Sequence, residues 1–109
     1  MFLVDGSHVF GHGRERLVRA LADLARSYAN PSAVVFGGVP GPCPPRRRGR
    51  VRVYYAGASH SVGGRILDIL SHEARVVPIT VVTSDRHLAE CARQRGARVS
   101  PMHLLEGSL

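Results

Sequence analysis

Five short apolar runs, each ended within two residues by Gly, Ser, Thr or Asp, alternate in this chain with segments of helical period. The runs are Phe2–Val4, Ala33–Phe36, Val51–Tyr55, Ile79–Val82 and Ala97–Val99, too short for helices and rich in β-branched Val. Between them, Leu17, Ala20, Leu21, Leu24 and Ala25 repeat at helical spacing, as do Ile66, Leu67, Ile69 and Leu70. Leu88, Ala89 and Ala92 do the same in a segment that Ser84 or Asp85 can cap and that Gly96 ends. Strands alternating with helices predict a parallel sheet joined by right-handed crossovers and covered by helices on both faces. The expectation is an α/β, Rossmann-like, three-layer domain with four or five parallel strands, and a last helical turn over residues 101–106. In such sheets ligands sit beyond the carboxyl ends of the strands. That rule selects Asp5, Gly37, the segment from Ser59 to Gly64, and Thr83 to Asp85.

A length of 109 residues suits one domain with a real core, so residues 1–109 are read as a single unit. The formal net charge is +7, and all fifteen basic residues are Arg. Exclusive use of Arg is what a codon bias produces, but the charge itself attracts polyanions, and guanidinium suits bidentate contact with phosphate. Cys43 and Cys91 form neither a disulfide framework nor a Cys-x-x-Cys zinc pair. The N-terminal apolar run stops at Asp5, far short of the ~20 residues of a membrane span. These features fit a cytoplasmic protein without a membrane partner.

Asp5 and Asp85 each end an apolar strand. Two carboxylates there, with water, suffice to hold Mg²⁺ or Mn²⁺. The same residues also suit a plainer role, Asp5 in a turn and Asp85 as a helix cap.

Four segments carry a family resemblance. Val4-Asp5-Gly6-Ser7-His8-Val9 resembles the Asp-Gly-x-Asn-Val start of NYN domains, which belong to the PIN-like nucleases. Val35-Phe36-Gly37-Gly38 is similar to their second-strand Phe-Asp-Gly, residues 58–67 to their Ser-Ala-Asp-Asp-x-Ile-Leu helix start, and Val81-Val82-Thr83-Ser84-Asp85-Arg86 to their Val-Thr-Ser-Asp-Arg signature. The segments follow in order over nearly the whole chain. The resemblance implies a PIN-type fold and a ribonuclease in which strand-end acids hold divalent metal that activates water against a phosphodiester. Asp5 and Asp85 match that pattern as catalytic and metal-binding residues; Gly37, Gly63 and Gly64 stand where the family has acids, and His8 where it has Asn.

A two-metal clamp is therefore short of ligands, although one Mg²⁺ or Mn²⁺ could remain on Asp5 and Asp85. Asp68 lies about 6 Å along the helix from Gly64, far enough to reach a metal only through water. A second reading follows from the same glycines: with fewer acids the cleft repels phosphate less, and Gly63-Gly64 at a helix start can offer N–H groups to an anion. The domain would then bind RNA, or a protein partner, without cutting. A third reading is a flavodoxin-like nucleotide-binding module, supported by the glycines from Gly57 to Gly64; a P-loop is excluded because Gly64-Arg65 replace its Gly-Lys-Ser/Thr.

Residues 37–49 hold four prolines and end in Arg46-Arg47-Arg48-Gly49, which predicts an exposed basic loop continued by Arg50 and Arg52. These arginines, with Ser84, Arg86 and His8, are the candidate nucleic-acid contacts, and binding through them would be salt-dependent and largely blind to sequence. A solvated charge run is the plainer account. Tyr54 and Tyr55 adjoin, and one of two successive strand residues must face a helix layer. The histidines lack zinc-site spacing; His8 and His60 fall in strand-end loops where they could donate a proton or meet phosphate. Oligomeric state leaves no mark in the sequence.

Overall fold

The structure, a computed structural model, describes residues 1–28, 30–38, 44–57, 61–73 and 77–102. Its elements run β1 (Phe2–Asp5), α1 (His12–Tyr28), β2 (Ser32–Phe36), β3 (Arg46–Arg48), β4 (Val51–Tyr55), α2 (Val62–Glu73), β5 (Thr80–Val82), α3 (Arg86–Gln94) and β6 (Arg98–Ser100). The sheet order is β3-β4-β2-β1-β5-β6. All neighbours are parallel except β3, which pairs antiparallel with β4. Ser59, His60, Cys43 and residues 103–106, each part of a sequence expectation, lie outside the described residues.

Counting parallel strands alone, the order is 3-2-1-4-5, the Rossmann arrangement and not the 2-1-3-4-5 of flavodoxin-like sheets. The chain reverses its direction of travel between β1 and β5. Their carboxyl ends, which carry Asp5 and Thr83, therefore flank the crevice where ligands bind in open α/β sheets.

Two apolar layers flank the sheet because alternate residues of each strand point to opposite faces. Val4, Val34, Phe36, Val51, Val53 and Val82 pack with Leu17, Val18 and Leu21 of α1. Leu3, Val35 and Val81 pack on the other face with Ile66, Ile69 and Leu70 of α2 and with Leu88 and Ala92 of α3. Each fully buried aliphatic side chain contributes about 1.5–3 kcal/mol, so these layers fix the strand register.

The expected basic loop is corrected over Arg46–Arg48, which form the sheet's sixth strand. No apolar pattern announces it, because as a three-residue edge strand it buries none of its side chains. It is held by its ladder with β4, in which Arg46 faces Val53, Arg47 faces Arg52 and Arg48 faces Val51. A short, charged edge strand also discourages edge-to-edge pairing with another sheet. Among the described residues no helix is long and apolar enough to cross a membrane.

Candidate active site

Asp5 closes β1 and is buried, the residue as a whole being 6 % exposed. Register explains what satisfies it. Val4 pairs with Val82, so one step further on Asp5 lies beside Thr83, and the Thr83 hydroxyl donates to Asp5 Oδ2 at 2.7 Å. The Ser7 amide donates to Oδ1 at 3.0 Å, closing the turn after the strand.

Thr83 reaches both acids. Its Oγ1 donates to Asp5 and accepts from the Asp85 amide at 3.0 Å, so a single buried hydroxyl ties the strand-end carboxylate to the start of α3. Asp85 is the N-cap of α3, with Oδ1 accepting from the amides of His87 at 2.9 Å and Leu88 at 3.1 Å. Both turn and cap roles are thus present. They leave unused lone pairs on each carboxylate and leave Asp85 exposed. No group of three or more His, Cys, Asp or Glu side chains able to hold a metal ion exists among the described residues, so a divalent ion bound here would have Asp5 and Asp85 as its acidic ligands and water for most of the rest.

Gly37, Gly63 and Gly64 are packed around in different ways. A Cβ on Gly37 would stand 2.9 Å from Val62 Cγ2, so the first turn of α2 occupies the space a side chain there needs. At Gly64 a Cβ would meet Ser61 Oγ at 3.1 Å, and that hydroxyl already accepts the Gly64 amide at 3.0 Å. The Gly64 N–H expected to face an anion is therefore taken by the Ser61 cap. Gly63 has room, with Leu88 Cδ1 at 3.8 Å. Asp68 pairs with Arg65 at 3.5 Å on the exposed flank of α2. Gly6 is a structural requirement, because its Cβ would lie 2.5 Å from Phe36 Cδ1 and 2.8 Å from the Val35 carbonyl oxygen.

Among the candidate contacts, Ser84, Asp85 and Arg86 line an open cavity of about 670 Å³ with Thr83, Glu90 and Arg93. His8 is exposed three residues past Asp5. The arginine segment is split. Strand alternation and pairing put Arg46 and Arg48 on the α1 face, while Arg47 and Arg52 lie opposite each other on the α2 face. Arg52 pairs with Glu73 at 3.0 Å, and its pKa is raised, first by Tyr54 and less by Glu73. Arg47, Arg50 and Arg52 line a cavity of about 400 Å³ with Met1, Pro31 and Ser32, at the amino end of the strands and away from Asp5. Arg65 stacks over Tyr54, 5.4 Å from its ring centre, and Tyr55 packs toward α1, so the two tyrosines face opposite layers.

Three contributors were not singled out from sequence: Thr83 as the bridge, Ser61 as the α2 cap, and Arg14. Arg14 projects from the first turn of α1, donating from Nε to the Val9 carbonyl at 3.0 Å and from Nη2 to the Gly37 carbonyl. A cation thus reaches the end of β2.

With this strand order in place, Asp5 closing β1 and Asp85 capping α3, residues 5–109 match the YacP-like NYN domain. The chain belongs to the YacP-like NYN family. Crystal structures of Rae1 (YacP) from Bacillus subtilis share its fold: the parent at TM-score 0.78 and 23 % identity, over 99 % of this chain and 72 % of that one. A single-substitution mutant of it gives TM-score 0.79 and 20 % identity, over 97 % of this chain and 72 % of that one. No curated protein matches the sequence. The YacP-like NYN assignment agrees with the Rossmann strand order against the flavodoxin-like one.

Proposed function

We propose that this YacP-like NYN domain is a cytoplasmic ribonuclease with a reduced metal complement, holding one Mg²⁺ or Mn²⁺ between Asp5 and Asp85. The observation that carries the reading is the Thr83 hydroxyl, which donates to the Asp5 carboxylate and accepts from the backbone amide of Asp85 at the topological switch point. A bound ion would supply an activated water and neutralise charge on the phosphodiester. The chain's own residues do the rest. Thr83 and the Ser7 amide hold the Asp5 carboxylate in one orientation at the end of β1. The α3 N-terminus and the Asp85 cap fix the second acid, and the nearby Arg86 offers its guanidinium to RNA phosphate.

A second reading has specific support. Val62 fills the space beside Gly37, and Arg14 holds the Gly37 carbonyl, so the second-strand acid position is built over and not merely emptied. That packing favours a domain that binds RNA, or a protein partner, without cutting. Labelled single-stranded RNA incubated with Mn²⁺, Mg²⁺ or EDTA separates the two, with Asp5→Asn and Asp85→Asn as controls. Cleavage that needs metal and both aspartates establishes the enzyme. RNA that binds in a salt-dependent way and stays intact establishes the binder.

A further inference from the structure

The turn between β1 and α1 carries an aromatic ring that neither the core nor the acid pair uses. Phe10 is 66 % exposed, five residues past Asp5. An isolated exposed ring is ordinary on a protein surface. This one is braced. The Arg14 guanidinium carbon lies 5.7 Å from the Phe10 ring centre and 5.1 Å from that of Phe36, which is 1 % exposed. Arg14 is itself fixed by the Val9 and Gly37 carbonyls, and the Phe10 carbonyl accepts the Gly13 amide at 3.1 Å. A continuous stack thus runs from the core through a guanidinium to an exposed ring at the catalytic end of the sheet. A guanidinium carries five N–H groups, so Arg14 retains donors beyond those the two carbonyls take. It also lines a groove of about 280 Å³ with Glu15, Phe36, Arg46, Arg47, Arg48 and Tyr55.

We propose that Phe10 and Arg14 form a nucleotide subsite, in which an unpaired RNA base stacks on the Phe10 ring and the adjoining phosphate meets Arg14. The inference rests on the reading of the crevice as an RNA site and adds how the strand enters it, from the α1 face and as a single strand. A base inside a duplex has both faces covered by its neighbours, whereas an unstacked base offers one to an aromatic ring. The braced ring loses little freedom on accepting it. The shared guanidinium places positive charge within reach of the same nucleotide's backbone.

The chain contains no Trp, so Phe10→Trp installs a single indole that reports on this spot. Excited at the red edge of indole absorption, the full-length variant should be quenched by a single-stranded oligoribonucleotide over the range in which fluorescence anisotropy shows binding. Inorganic polyphosphate should leave the emission unchanged. Phe10→Ala should weaken single-stranded binding about ten- to a hundredfold with little change in salt dependence. Arg14→Gln should lower the salt slope by about 0.7, the value for one lost phosphate contact on a single strand. If the Phe10→Trp protein binds RNA without quenching, or Phe10→Ala binds as tightly as the parent, the subsite is refuted while the RNA reading stands. If the parent fails to bind RNA at all, that reading falls and the subsite with it.

Discussion

Replacing Thr83 by its near-isostere Val removes one hydroxyl and leaves the packing volume almost unchanged, which isolates the bond that joins the two acids. Thr83 is 3 % exposed and Asp5 6 %, so water has little access to the gap. Asp5 Oδ2 loses a charge-assisted donor at 2.7 Å, and a buried charged acceptor left short of a donor costs about 1.5–3 kcal/mol. The Asp85 amide also loses its acceptor, but Asp85 is exposed and water can replace it, so this adds only a few tenths. The expected loss is about 2–3 kcal/mol, or roughly 10 °C in Tm for a domain of this size. Urea unfolding followed by circular dichroism reads it directly, with the slope against denaturant unchanged if only stability has moved. Thr83→Ser keeps the hydroxyl and loses one methyl, costing about 1 kcal/mol. A Thr83→Val protein within about 0.5 kcal/mol of the parent, or a Thr83→Ser protein as unstable as the Val variant, refutes the bridge.

Other substitutions separate roles that the structure superimposes. Asp85→Asn preserves the cap, because Asn caps helices as well as Asp, so thermal unfolding should stay within about 0.5 kcal/mol of the parent while metal-dependent cleavage disappears; Asp85→Ala should cost about 1 kcal/mol besides. Gly37→Asp should destabilise by about 1–3 kcal/mol through its clash with Val62. Adding Val62→Ala should recover much of that loss in the same denaturation assay, and Gly63→Asp, with Leu88 at 3.8 Å, should be tolerated from the start. Titration with Mn²⁺ then shows whether an added acid tightens metal binding. Removing Arg46, which lines the groove beside Arg14, should lower the salt slope of RNA binding more than removing Arg52, which faces the other layer and pairs with Glu73; equal effects would contradict the split of the arginine run.

The central parallel strands are legible because strands covered on both faces read as apolar runs, and β2, whose five residues are all buried, is the clearest of them. The strand β3 is not, since Arg46-Arg47-Arg48 carries no hydrophobic signal and its place comes from backbone pairing with β4. Asp5 and Asp85 could be picked out because each follows an apolar run, yet their coupling runs through Thr83, 78 residues from Asp5, and only strand order and register bring those two together. Arg14 is one of several arginines along α1, and its sequence neighbours do not set it apart. Its role appears only when the β1–α1 turn and the end of β2 converge on its guanidinium.

That convergence bears on the resemblance drawn from the sequence, in which Gly37 and Gly64 stand at acidic positions. Exchanging an acid for glycine at a strand end should leave space and an excess of nearby cations, because the partners of the lost charge remain. Here the Gly37 carbonyl accepts from Arg14, Val62 occupies the volume beside Gly37, and Ser61 holds the Gly64 amide. Reintroducing one carboxylate therefore meets a packed neighbour before it meets a metal. Conversion toward a fuller acidic centre should succeed first at Gly63, where the neighbour is 3.8 Å away, and at Gly37 only together with a smaller residue at position 62.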